Sequence, residues 1–130
     1  MRAMTNARGL VLAAFLLLSA AAAQQAVTLA EIEQNPAAYA GQRVVLVGYL
    51  WSWFTHERPA ACANVPQAEG NLMRTRSDGY FCDGTRTAFL PPGRNVNVLV
   101  GPGERHGALQ LVARVHVGPE GWWLEPLELR

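Results

Sequence analysis

Residues 43–54 read RVVLVGYLWSWF, an alternating run that stays apolar on both of its faces. Val44, Leu46, Leu50 and Phe54 fall on one side, and Val45, Val47, Tyr49, Trp51 and Trp53 on the other. A strand with two apolar faces must be covered on both, which restricts the chain to a sheet wrapped by other elements or curled on itself. Gly48 interrupts the run and predicts a bend or bulge through which one strand serves two parts of a small barrel.

The start of the chain belongs to a different category. Residues 1–23, MRAMTNARGLVLAAFLLLSAAAA, place Arg2 and Arg8 before an apolar run that closes on small residues, the pattern of a secretory signal peptide. The run is shorter than the roughly 20 residues a membrane-crossing helix needs, so a cleaved signal is expected and no membrane span in the mature chain. Cleavage is expected after Ala22 or Ala23, and with residues 1–23 taken as the signal, residues 24–130 form one small domain, exported to the periplasm or the extracellular space. With Arg2 and Arg8 removed, nine arginines face ten acidic residues and the formal charge moves from +1 to −1. That balance carries no basic footprint for nucleic acid.

Export also assigns the cysteines. Cys62 and Cys82 would meet an oxidising environment, where a disulfide between them is the default. Free thiols are the competing reading. A zinc site is disfavoured because neither cysteine belongs to a closely spaced pair and His56 lies six residues before Cys62.

Ahead of the long strand, Thr28-Leu-Ala-Glu31 is a capping box that predicts a short helix, interrupted at Asn35-Pro36 and closed at Gly41. Residues 55–72 contain two prolines and no sustained period, which makes them a long loop in need of a staple. In TRSDGYFCDGTRTAFL, residues 75–90, the strands Gly79-Tyr-Phe-Cys82 and Thr85-Arg-Thr-Ala-Phe-Leu90 flank Asp83-Gly84, read as a two-residue hairpin turn. Asp78 and Asp83 could be taken for paired carboxylates, but turn chemistry accounts for Asp83 and no partnered histidine is near in sequence. Arg74, Arg76 and Arg86 read as solvated edge charges. Further on, ALQLVARVHV places Leu109, Leu111, Ala113, Val115 and Val117 on one face and Gln110, Arg114 and His116 on the other. WWLEPLELR follows a Gly118-Pro-Glu-Gly121 turn, and its Pro126 predicts an edge or bulge.

This order of elements resembles small exported bacterial proteins with the OB-fold, a five-stranded barrel common among oligonucleotide and oligosaccharide binders. TLAEIEQNPAAYAGQRVVLVGYL matches the helical lead-in and first strand, TRSDGYFCDGTRTAFL the second and third, and ALQLVARVHV with WWLEPLELR the fourth and fifth. The helix that many such folds insert between strands three and four has no counterpart, and GPGERHG stands there instead. The resemblance implies an all-β, five-stranded OB-like barrel with a short N-terminal helix. It also implies a ligand face on strands two and three and the adjoining loops, which maps to Trp53, His56, Arg58, Tyr80, Phe89, Trp122 and Trp123.

The residues themselves lead toward binding by elimination. No HExxH, GxSxG or Walker sequence occurs, and residues 101–107, GPGERHG, lack the lysine and the strand-to-helix setting of a phosphate cradle. The expectation is a non-enzymatic binding module of the cell envelope or periplasm, without cofactor or metal, taking a small ligand, a glycan or an envelope protein. The alternatives are a nucleic-acid-binding OB-fold and a structural protein-interaction domain. Because Trp122 and Trp123 are adjacent on one strand, at least one of them should be partly exposed.

Overall fold

The computed structural model describes residues 26–52, 58–73, 79–91 and 107–130. The expected signal peptide lies outside them, as do Trp53, His56, Arg74, Arg76, Asp78 and His106. The described chain is mostly β. Two short helices, α1 (Leu29–Gln34) and α2 (Pro36–Tyr39), precede β1 (Arg43–Ser52), a 3-10 turn (Ala60–Cys62), β2 (Gly79–Cys82), β3 (Thr87–Leu90), β4 (Leu109–Gly118) and β5 (Gly121–Leu129). The five strands form one antiparallel sheet in the order β3-β2-β1-β4-β5.

The N-terminal signals act as local chemistry requires. Thr28 Oγ1 accepts from the Glu31 N–H at 3.2 Å while Glu31 Oε1 accepts from the Thr28 N–H at 3.1 Å. Asn35 ends α1, Pro36 opens α2, and Gly41 at φ +73° turns the chain into β1. Leu29 and Ile32 are fully buried in the main core, so packing rather than helix propensity holds this short element.

β1 serves two ladders. Arg43 through Gly48 pair with β4, and Tyr49 through Ser52 pair with β2. The change of partner occurs at Gly48, where a Cβ would collide with the Cys82 carbonyl oxygen and lie 2.9 Å from the Phe81 ring. Only a residue without a side chain lets β2 approach β1 there. Val44, Leu46 and Leu50 face the main core with Phe81, Leu111 and Trp122. At the far edge, β5 carries a register shift opposite Val112 and Ala113, which pair with Glu128 and Pro126. The proline therefore sits at a bulge on an edge strand.

Three expectations differ from the structure. The first is barrel closure: β3 and β5 share no ladder among the described residues, and the sheet is open. An irregular segment, residues 66–72, takes up the edge bonding groups of both strands instead. Pro66 O accepts from the Thr87 N–H at 2.8 Å and the Ala68 N–H donates to Thr87 O at 2.9 Å. Then Gly70 O accepts from the Trp122 N–H at 2.9 Å and the Leu72 N–H donates to Trp122 O at 2.7 Å. Asn71 Oδ1 accepts from the Phe89 N–H at 2.7 Å, completing the β3 side.

The second correction concerns the hairpin turn. Cys82 pairs with Thr87, so the connection spans residues 83–86 rather than Asp83-Gly84 alone. The cause is the Asp83 carboxylate, whose Oδ1 accepts from the Thr85 N–H at 2.7 Å, the Thr85 hydroxyl at 2.6 Å and the Arg86 N–H at 3.0 Å. These bonds curl Thr85 and Arg86 out of the strand. Oδ2 accepts from the Leu29 N–H at 2.7 Å, so the turn also caps α1 across 54 residues of sequence. Val117, placed by alternation on the core face, is 41% exposed because β4 overruns the core at its end.

A second clasp holds the helix, the hairpin and residues 66–72 together. Glu33 accepts from the Glu69 N–H at 2.7 Å and from Arg86 Nε at 3.0 Å. The Glu69 amide and the Arg86 guanidinium hold its carboxyl below the ordinary carboxylate value against a smaller opposing effect of burial. A lowered folded-state pKa contributes stability above the unfolded-state value, and that stability is lost as pH falls through the folded one. Thermal midpoints should therefore drop as pH is lowered below about 4.5. Glu33→Gln should flatten that fall without abolishing it, since Glu128 beside Arg130 is lowered as well. An unchanged acid slope in Glu33→Gln would contradict the clasp.

Candidate functional site

Three aromatic rings cross the sheet in register on the face opposite the main core. Trp51 on β1 is the cross-strand partner of Tyr80 on β2, which is the partner of Phe89 on β3. Trp51 and Tyr80 stack with centroids 5.2 Å apart and planes 21° off parallel, and Phe89 meets Tyr80 edge-on at 5.4 Å. Alternation puts all three on one side, because Leu50, Phe81, Ala88 and Leu90 take the other. Cross-strand aromatic pairs of this kind stabilise the sheet.

Residues 58–65 lie against its Trp51 and Tyr80 end. The Arg58 guanidinium sits 5.8 Å from the centroid of the Trp51 ring, a cation–π geometry, and Nη1 donates to Ala63 O at 3.5 Å. Cys62 and Cys82 are joined in a disulfide with 5.9 Å between Cα atoms. They pack with Trp51 into a small cluster of their own, flanked by Tyr49, Val65 and Tyr80. Trp51 and Phe89 are each 8% exposed, while Tyr80 is half-buried and Arg58 is exposed.

The residues singled out from sequence are divided by this geometry. Arg58, Tyr80 and Phe89 are brought together, and Trp53 and His56 lie outside the described residues. Trp122 is placed elsewhere: it is 1% exposed in the main core, and its indole N–H donates to Glu69 O at 2.9 Å. It offers no ring to a ligand in this structure. Trp123 points to the other side and is half-buried, stacked on His116 with centroids 4.2 Å apart. His116 Nε2 is 2.8 Å from Glu125 Oε1. This pair is separate from the ring contacts of the Trp51 row.

Trp51 was missed as a site residue, although alternation already placed it beside Tyr49 on the outer face. What sequence did not show was the ladder that aligns it with Tyr80. Among the described residues, no group of three or more His, Cys, Asp or Glu is placed to hold a metal ion. No helix among them is long and apolar enough to cross a membrane.

Fold and site together define a small, disulfide-linked antiparallel β-sheet protein with an aromatic row on its outer face. Compared with models of known protein families, with curated proteins and with solved structures, the chain matches none.

Proposed function

We propose that this chain is an exported, non-enzymatic binding module of the OB type, which takes a ring-bearing ligand such as a glycan on the outer face of β1, β2 and β3. The observation that carries the reading is the row Trp51, Tyr80 and Phe89, aligned by two ladders with the Arg58 cation above its first ring. Sugar and base rings stack on such surfaces, and an arginine adds attraction for an anionic substituent. The strand order supports the OB relation, since β3 and β5 are the two free ends that closure of a five-stranded barrel would join. In this chain residues 66–72 stand between those ends. The disulfide supports export to an oxidising compartment.

Two further readings have less behind them. A nucleic-acid binder would need a positive groove, against which the mature charge of −1 counts. Among the described residues, a protein-interaction domain is favoured by exposed Val47 on β1 and Val117 on β4.

The test is a thermal-shift screen of the protein, oxidised and after dithiothreitol treatment, against glycans, organic anions, metals and short oligonucleotides. A ligand present at about 100 times its dissociation constant should add roughly 2.7 kcal/mol. Tyr80→Ala should weaken a ring-bearing hit by about 1–3 kcal/mol, the scale of one lost stacking contact. A hit whose affinity is untouched by both Tyr80→Ala and Arg58→Ala would place binding elsewhere.

A further inference from the structure

The segment that packs against Trp51 and Tyr80 is attached to the sheet in an uneven way. From Val65 onward it is stitched to β3: Val65 O accepts from the Thr87 hydroxyl at 3.2 Å, and Pro66 O and the Ala68 N–H bond to the Thr87 backbone. Before Val65 the described backbone bonds are internal. The Cys62 N–H donates to Pro59 O, the Ala63 N–H to Ala60 O, and the Val65 N–H to Cys62 O. Ala60, Ala61, Ala63 and Asn64 are exposed, and Cys62 is the one fully buried side chain of residues 58–64. Its bridge to Cys82, with Arg58 resting on Trp51, is what fastens these residues down among the described contacts. The cluster they close over is distinct from the main core.

We propose that residues 58–64 form a lid over Trp51 and Tyr80, hinged at Val65 and tethered by the Cys62–Cys82 disulfide, and that a dithiol reductant releases it. This rests on the reading above in so far as the uncovered row is the ligand face. One thiolate of the dithiol attacks a bridge sulfur and forms a mixed disulfide, and its second thiol displaces the protein. The dithiol ends as a disulfide, and its two electrons and two protons end on Cys62 and Cys82 as thiols. Both cysteines are fully buried, so the reductant reaches the bridge when the lid lifts locally, and reduction holds the lid open. The main core is not involved. Opening therefore exposes Trp51 and Tyr80 while β1, β4 and β5 remain paired.

Hydrogen exchange on the full chain separates a local lid from a global staple. The oxidised protein is compared with itself after dithiothreitol treatment and with a Cys62→Ser, Cys82→Ser double variant. Protection at the Cys62, Ala63 and Val65 amides should fall at least about tenfold, while Leu46, Leu111 and Val115 keep theirs. Acrylamide quenching of Trp51, read as the difference from Trp51→Phe, should rise in parallel. Loss of protection throughout β1 and β4, or a double variant that does not fold, overturns the lid because the bridge then holds the whole fold. Unchanged exchange at Cys62 and Ala63 overturns it too. No ligand enters this readout, so a failed ligand screen leaves it standing. A ligand that binds equally to oxidised and reduced protein would sink the gating while sparing the binding reading.

Discussion

Gly48→Val is expected to destabilise the protein by about 3 kcal/mol or more, a large share of the 5–15 kcal/mol that holds a typical domain. The added Cβ would meet the Cys82 carbonyl, and the branches beyond it would meet the Phe81 ring. Neither can yield freely. Cys82 is fixed by its disulfide and its ladder to β1 and β3, and Phe81 is fully buried. β2 must then move off β1, which takes apart the cross-strand pair between Trp51 and Tyr80 as well. Chemical denaturation should show the loss, with near-UV circular dichroism reporting the disturbed aromatic row. Wild-type stability in Gly48→Val would contradict the close approach of the two strands.

Trp122→Ala and Trp123→Ala should differ sharply although the residues are neighbours. Trp122 fills the main core and supplies the hydrogen bond to Glu69 O, so truncation should cost about 3–5 kcal/mol. It also undermines residues 66–72, which lie along β5 through the Trp122 backbone, with Gly70 so placed that an added Cβ would touch the indole. Trp123 is half-buried against His116, and its loss should cost about 1 kcal/mol or less, the scale of one partly exposed aromatic pair. Equal costs from urea unfolding of the two variants would reverse the assignment of inner and outer rings.

The same pair shows how far sequence carries. Alternation establishes that Trp122 and Trp123 point to opposite sides, and the structure gives one buried and one half-exposed ring. Which of them is buried depends on register. Gly118 pairs with Gly121 and Val117 with Trp122, so the turn between β4 and β5 sets the frame. The capping box, the break at Asn35-Pro36, the partner change at Gly48, the bulge at Pro126 and the cysteine pair were all legible, because each rests on chemistry within a few residues or on a single obvious pairing. The Asp83 turn was half legible: its short-range bonds follow from residue type, but its reach to the Leu29 amide does not. Residues 66–72 were opaque for a physical reason. They bond to two separate strand edges through a few backbone groups, leaving no periodic side-chain pattern behind. That segment decides whether the sheet closes, and so closure was the part of the fold that sequence misjudged. The aromatic row has the same logic, with faces set by alternation and neighbours set by ladders between distant segments.

The proposed binding face is the outer side of β1, β2 and β3. It is tested by an amide and side-chain NMR titration of the chain, oxidised and after dithiothreitol treatment, with the strongest hit of the thermal-shift screen. Shifts should concentrate at Trp51, Tyr80, Phe89 and Arg58, with His116, Trp123 and Glu125 unmoved. Shifts centred on His116 and Trp123, with the Tyr80 row silent, would contradict it.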